Sequence, residues 1–178
     1  MHVTRRYQHC AACGAAVQYR IPPEDNRERA VCTDCGQIHY ENPTNVVGTL
    51  PLAPDGRVLL CRRAIEPQRG RWTLPAGFME LGESVAEGAL RETLEEAGAR
   101  VELLGLMSLL NVARIGQVHL FYRARLLDLD FAPGPESLEV ALFHFAEIPW
   151  DELAFRTVRA TLEHQRAGRT ELLIADIA

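Results

Sequence analysis

"GFMELGESVAEGALRETLEEAGA", residues 77–99, is the stretch whose reading decides the fold. Glu92, Glu95 and Glu96 crowd into five positions. On a helix they stand at i, i+3 and i+4 and share one face. Like charges at that spacing repel by roughly a few tenths of a kcal/mol per pair, so the cluster needs a reason. Ser84 with Glu87 three residues on has the form of a capping box, and Gly98 that of a C-terminal stop. A helix is therefore expected over residues 84–98. Ala86, Leu90, Leu94 and Ala97 fall opposite the glutamates and are expected to face the core. Gly88, one turn before the glutamates, leaves room for a close approach to the backbone. One reading is an ordinary solvated acidic face, with Glu87, Arg91 and Glu95 pairing at i, i+4 spacing. The other is a site for hard divalent cations. Mg²⁺ and Mn²⁺ prefer oxygen ligands, and Mg²⁺ keeps several waters while taking one or two carboxylates and substrate phosphates.

The same string resembles the Nudix box, G-x5-E-x7-R-E-U-x-E-E-x-G-U, where U is a bulky apolar residue. Gly77, Glu83, Arg91, Glu92, Glu95, Glu96 and Gly98 match in register. Thr93 and Ala99 stand where an aliphatic residue is usual. The resemblance implies an α/β fold, a Nudix α/β/α sandwich with a mixed sheet. It also implies hydrolysis of a nucleoside diphosphate linked to another group. Glu92, Glu95 and Glu96 would bind Mg²⁺ or Mn²⁺, helped by the Gly77 carbonyl. Arg91 would orient Glu92, and Glu83 would support the cluster from the loop. Glu92, Glu95 and Arg91 are thus the catalytic candidates of the box. In this family a further carboxylate often arrives from a later loop. "GPESLE" offers Glu136 and Glu139, with Glu139 as a catalytic candidate and Glu136 as a substrate-binding one. Divalent ions would neutralise the pyrophosphate, orient it and acidify a bound water.

The cysteines lead to a second resemblance. "CAAC" and "CTDC" give C-x2-C-x18-C-x2-C through Cys10, Cys13, Cys32 and Cys35, a spacing suited to a tetrahedral zinc site. Gly14 and Gly36 each follow a second cysteine, as in turns that wrap sulfur around a metal. Four thiolates close the site, so the Zn²⁺ is expected to be structural. Few apolar residues occur in residues 1–42, and zinc would supply the folding energy a core cannot. Cys61, in "RVLLCRR", is expected to pack in the core. The expected division is 1–42 zinc ribbon and 43–178 catalytic domain.

Zinc ribbon and box together resemble two groups. One is the NADH pyrophosphatases, but "SLLNVARIGQ" follows the box where that group has a "SQPWPFP"-type segment. The other is the short zinc-ribbon Nudix group that includes the plant chloroplast FAD and ADP-ribose pyrophosphohydrolase. "CTDCGQIHYENP", "VVGTLP", "WTLPAGFMELGES" and "FAPGPESLE" carry that likeness. It implies FAD, ADP-ribose or a similar ADP-linked substrate, AMP as product, and a homodimer. The alternatives are an NADH or capped-RNA pyrophosphatase and a non-catalytic nucleotide sensor. Trp72 as a stacking surface and Arg62, Arg63, Arg69 or Arg71 as a cation are candidates for substrate contact, Arg62 foremost.

Elsewhere, "NVVGTLPL" and "RVLLCRR" flank the turn "APDG" as a hairpin. "RVELLGLMSLLNVA", "QVHLFYRARLL" and "VALFHFAEIP" read as strands, and "WDELAFRTVRATLEHQRA" as a helix. "TELLIADI" suits a final strand or a tail. The net charge of −5 and the balanced charges of residues 1–36 weigh against nucleic acid as partner. No apolar run is long enough for a membrane span. "MHVTRRYQHC" has no apolar stretch after its basic residues, so the expected setting is cytoplasmic.

Overall fold

The computed structural model describes residues 7–178, so the N-terminal basic run with Arg5 and Arg6 lies outside them. The chain divides into two compact units, Met1–Asn42 and Pro43–Ala178. No helix among the described residues is long and apolar enough to cross a membrane.

The first unit is a three-stranded antiparallel sheet in the order β1-β2-β3: Val17–Arg20, Arg29–Cys32 and Ile38–His39. Its buried apolar residues are few: Cys10, Ala30, Val31 and Cys32. Tyr7 stacks on His39, and Arg29 lies over the Tyr40 ring while pairing with Asp25.

The second unit runs β4 (Thr44–Leu52), β5 (Val58–Arg63), β6 (Trp72–Thr73), β7 (Ala76–Phe78), α1 (Val85–Ala97), β8 (Val101–Val112), β9 (Gln117–Leu126), β10 (Ser137–Phe143), α2 (Arg156–Arg166) and β11 (Leu173–Asp176). The sheet order is β10-β5-β4-β9-β8-β11, with β6 on β5 and β7 on β4. It is mixed: β4 and β9 run parallel, as do β8 and β11, and the other pairs are antiparallel. The "APDG" hairpin forms, and "TELLIADI" supplies the last strand. The expected helix from Trp150 is broken: a 3₁₀ turn at Trp150–Glu152 precedes α2.

β5 reads as a continuous buried run because both its faces are covered. Val58 and Leu60 join Leu50, Phe121, Val158 and Leu162 on the α2 side. Leu59 and Cys61 join Ala97, Ala99 and Leu126 on the α1 side. Trp72 belongs to the first cluster, edge-on to Phe143 with ring centroids 4.9 Å apart.

α1 begins and ends as its sequence dictates. Ser84 caps the Glu87 amide while the Glu87 side chain accepts from the Ser84 amide, and Gly98 closes the helix at φ 60°. Its buried face differs from the expected one. Leu90 and Leu94 are exposed, whereas Gly88, Ala89, Glu92, Thr93, Glu96 and Ala97 are buried. The cause is close approach. A Cβ on Gly88 would stand 2.8 Å from Val47 Cγ2 of β4, a gap that no leucine face fits. Thr93 fills its apolar position through hydrogen bonds to Thr49 Oγ1 at 2.6 Å and to the Ala89 carbonyl at 2.7 Å. A satisfied buried hydroxyl of this kind contributes about 1 kcal/mol.

Candidate active site and zinc centre

Turning α1 this way carries two carboxylates inward. Glu92 and Glu96 are 9% and 7% exposed, facing β7 rather than solvent. Gly77 makes that possible: a Cβ there would stand 2.4 Å from the Glu92 carboxylate. The Ala76 amide donates to Glu96 Oε2 at 3.1 Å. Arg91 is the hub of the outer layer. It donates to both Glu83 oxygens at 2.9 and 2.8 Å, to Glu92 at 2.7 Å, to Glu95 at 3.0 Å and to the Phe78 carbonyl at 3.1 Å. Glu83 also accepts from the Glu80 amide at 2.7 Å.

These contacts split the carboxylates electrically. Arg91 holds Glu83 down to about 2. Burial pushes Glu96 up to about 8 and raises Glu92, with the nearby Glu136 charge acting in the same direction on both. Arg91 at Glu92 and Arg63 near Glu96 offset burial only in part, so the inner pair is short of positive charge. That deficit, the acceptor-only chemistry of the donor set and the Gly77 cradle fit a hard divalent cation. Among the described residues the four cysteines are the group whose ligand atoms all lie within 4.8 Å of one another. The carboxylates are spread more widely, as suits an ion that completes its shell with water and substrate oxygens.

Glu92, Glu95, Glu96 and Glu136 line one cleft of about 1190 Å³ together with Gly77, Phe78 and Arg91. Glu136 reaches it by a backbone route. The Ala132 and Gly134 amides donate to the Ala97 and Glu96 carbonyls, both at 3.0 Å, which docks the loop on the C-terminal end of α1. The Ala64 amide then fixes the Glu136 carbonyl at 2.8 Å.

Glu83 does not line the cleft itself but is tied to it through Arg91, and three other expected site residues lie elsewhere. Glu139 does not line the cleft. It follows a register shift in β10 and pairs at 3.5 Å with Arg62. Arg62 is turned the same way, with its Nε donating to the Gly70 carbonyl at 2.9 Å. Trp72 is a core residue, only 6% exposed. Arg63, one residue later and so on the other face of the strand, lines the cleft beside Arg91, Arg114 and Arg156. It is steadied by the Pro67 carbonyl at 2.8 Å and by the Phe155 ring, 5.1 Å from its guanidinium carbon. Sequence reading named Arg63 only among several arginines and did not find Phe155, His119, Thr157 or Gln117. No short motif links residues that are far apart in the chain.

In the first unit Cys10, Cys13, Cys32 and Cys35 converge. Their Sγ atoms stand 3.7 Å (Cys10–Cys35), 3.5 Å (Cys13–Cys32) and 3.6 Å (Cys13–Cys35) apart. A tetrahedral Zn²⁺ with bonds of about 2.3 Å requires sulfurs about 3.8 Å apart. The Ala12 amide points at Cys10 Sγ, and those of Asp34 and Cys35 at Cys32 Sγ, each at 3.4 Å. These amides favour thiolate, and with Asp34 foremost they lower Cys32 to about 6. The geometry fits a structural zinc.

A carboxylate-lined cleft at a helix–sheet junction, joined in sequence to a four-cysteine ribbon, describes a class of metal-binding protein. Comparison with known proteins names it. Residues 42–163 match the NUDIX domain family and residues 8–41 the Nudix N-terminal zinc ribbon family. The chain belongs to the Nudix family. A Nudix hydrolase structure from Nitrosomonas europaea is 47% identical, with a TM-score of 0.90 over 96% of this chain and 99% of that one. The ADP-ribose pyrophosphatase of Methanocaldococcus jannaschii is 28% identical over 71% of this chain and 76% of its own length. A NAD-capped RNA hydrolase of Caenorhabditis elegans is 34% identical over 54% of this chain. The chain spans only 25% of that relative's length, and less than half of the first curated relatives it matches.

Proposed function

We propose that the protein hydrolyses the pyrophosphate bond of an ADP-linked compound, FAD or ADP-ribose foremost, and releases AMP. One observation carries the reading: the box carboxylates Glu92, Glu95 and Glu96, with Glu136, line a cleft of about 1190 Å³. That volume suits a dinucleotide-sized ligand. The likeness to the zinc-ribbon group containing the plant chloroplast FAD and ADP-ribose pyrophosphohydrolase supports this substrate class. So does the relative named as an ADP-ribose pyrophosphatase.

In this reading Glu92, Glu95 and Glu96 hold Mg²⁺ or Mn²⁺ with the Gly77 carbonyl. Held there, such an ion would supply charge to neutralise the diphosphate and to acidify a water. Arg91 restrains Glu92 and Glu95, and its clamp on Glu83 keeps the loop before α1 in place. Glu136, without an ion pair among the described residues and close to the inner carboxylates, is the group to accept the proton from water. Arg63 takes a phosphate oxygen. Zn²⁺ holds the ribbon, and the group resemblance implies a homodimer.

A second reading, hydrolysis of NADH or of a NAD-capped RNA end, is favoured by the relatives named as NAD-capped RNA hydrolases. The two readings separate by kcat/KM measured on FAD, ADP-ribose, NADH and a NAD-capped RNA under one set of Mg²⁺ conditions. Highest kcat/KM for FAD or ADP-ribose sustains the first reading. A preference for the capped RNA replaces it with the second.

A further inference from the structure

A polar column not explained by catalysis enters the cleft between β9 and α2. Ser108 Oγ meets Thr161 Oγ1 at 2.9 Å, and Thr161 donates to the Thr157 carbonyl at 2.9 Å. Thr157 Oγ1 meets His119 Nδ1 at 3.0 Å, and His119 Nε2 meets Gln117 Oε1 at 3.0 Å. Thr157, His119 and Gln117 line the cleft.

The hydrogen-bond directions along this column follow from simple constraints. His119 is 8% exposed, and burial lowers its pKa to about 4, so the ring is neutral at pH 7. Gln117 presents its carbonyl oxygen to Nε2, so Nε2 carries the proton and donates. Nδ1 is then an acceptor, and the Thr157 hydroxyl donates to it. With its oxygen engaged, Gln117 has its amide nitrogen left over. Among the described residues that nitrogen has no hydrogen-bond partner, and it is not buried, on a residue that lines the cleft.

The position is suited to one end of a nucleotide. Gly77, beside the carboxylates, is opposite Val47 of β4, which is opposite Leu120 of β9. Gln117 is opposite Thr44, three positions down the same ladder. Three residues along the strand and two strands across amount to about 14 Å, which leaves room for a ribose between phosphate and base. Val112, Ile115, Phe155 and Ile177 give this part of the cleft apolar walls.

We infer that this lobe is a nucleobase subsite, in which the Gln117 amide group, aimed by His119 and Thr157, donates to an acceptor on a planar nitrogen heterocycle. The inference deepens the proposed function and rests on reading the cleft as a nucleotide site, but its test needs no turnover. The probes are AMP and ribose 5-phosphate, which share the phosphate and differ in the base. Their binding is measured calorimetrically in Mg²⁺ for the wild type, Gln117→Leu and Thr157→Val. The wild type should prefer AMP. Gln117→Leu should weaken AMP about tenfold and leave ribose 5-phosphate unchanged, with an unchanged Tm. Thr157→Val, which leaves Gln117 present but unaimed, should lose part of the AMP preference and nothing for ribose 5-phosphate. Equal loss for both probes, an unchanged AMP affinity, or a wild type that binds AMP no better than ribose 5-phosphate would each overturn the inference. Loss of hydrolysis with retained base discrimination would sink the pyrophosphatase reading and leave this one standing.

Discussion

The Gly134 amide donates to the Glu96 carbonyl at 3.0 Å, and a Cβ on Gly134 would stand 1.7 Å from the Glu95 carbonyl oxygen. The loop carrying Glu136 is therefore seated directly on the last turn of the helix carrying the box glutamates. Gly134→Ala must lift the loop. The expected loss is about 1–3 kcal/mol of stability, read as a lower Tm. Turnover should fall at least tenfold with KM little changed, as for Glu136→Gln, whose Tm stays near wild type. The double variant should turn over no more slowly than the slower single variant, because both act through one carboxylate. Multiplicative losses would separate Gly134 from Glu136.

Arg91 links Glu83, Glu92 and Glu95, with Glu92 and Glu83 side chains only 11% and 15% exposed. Arg91→Ala leaves these carboxylates without their cation. The metal-free protein should lose about 2–3 kcal/mol, less than a fully buried pair would, because the guanidinium is partly solvated. Adding Mg²⁺ should raise the Tm of the variant more than that of the wild type. Equal shifts in a thermal melt would argue that Arg91 does not shield the metal carboxylates.

Glu96 gives a pH signature. Its carboxyl is raised from 4.5 to about 8, mainly by burial. A raised acid binds its proton more tightly when folded. Its stabilising contribution is thus full below pH 4.5 and is lost as pH rises through about 8. The metal-free protein should therefore lose a few kcal/mol across that window relative to Glu96→Gln, which has no proton to lose. Mg²⁺ must displace the same proton, so its affinity should climb with pH up to about 8 and level off above. Calorimetric titration in two buffers of different ionisation enthalpy measures the released proton. A pH-independent affinity would contradict this assignment.

Local signals were legible in the sequence, and long-range ones were not. The Ser84–Glu87 box and the Gly98 stop lie within the helix they bound, so residues 84–98 could be read directly. The cysteine pairs carry their geometry in their spacing. The buried face of α1 could not be read, because it depends on Gly88 meeting Val47 across the sheet. Arg62 and Arg63 differ only in strand parity, which a short strand does not reveal. Glu136 and Glu139 are separated by a register shift between Ser137 and Glu139. Trp72 is fixed in the core by Phe143, a partner far along the chain.

The zinc assignment predicts one tightly held Zn²⁺ per chain, found by metal analysis of the purified protein. Cys32→Ser should abolish it, and a strong chelator should unfold the ribbon, since zinc supplies its folding energy. Full zinc content in Cys32→Ser would contradict a four-thiolate site.

The measurement that tests the central claim most directly is AMP release from FAD and ADP-ribose in Mg²⁺, for the wild type and Glu96→Gln. The account predicts metal-dependent turnover in the wild type and its loss in the variant, with substrate still bound. Equal turnover in Glu96→Gln, or none in the wild type despite tight nucleotide binding, would contradict it.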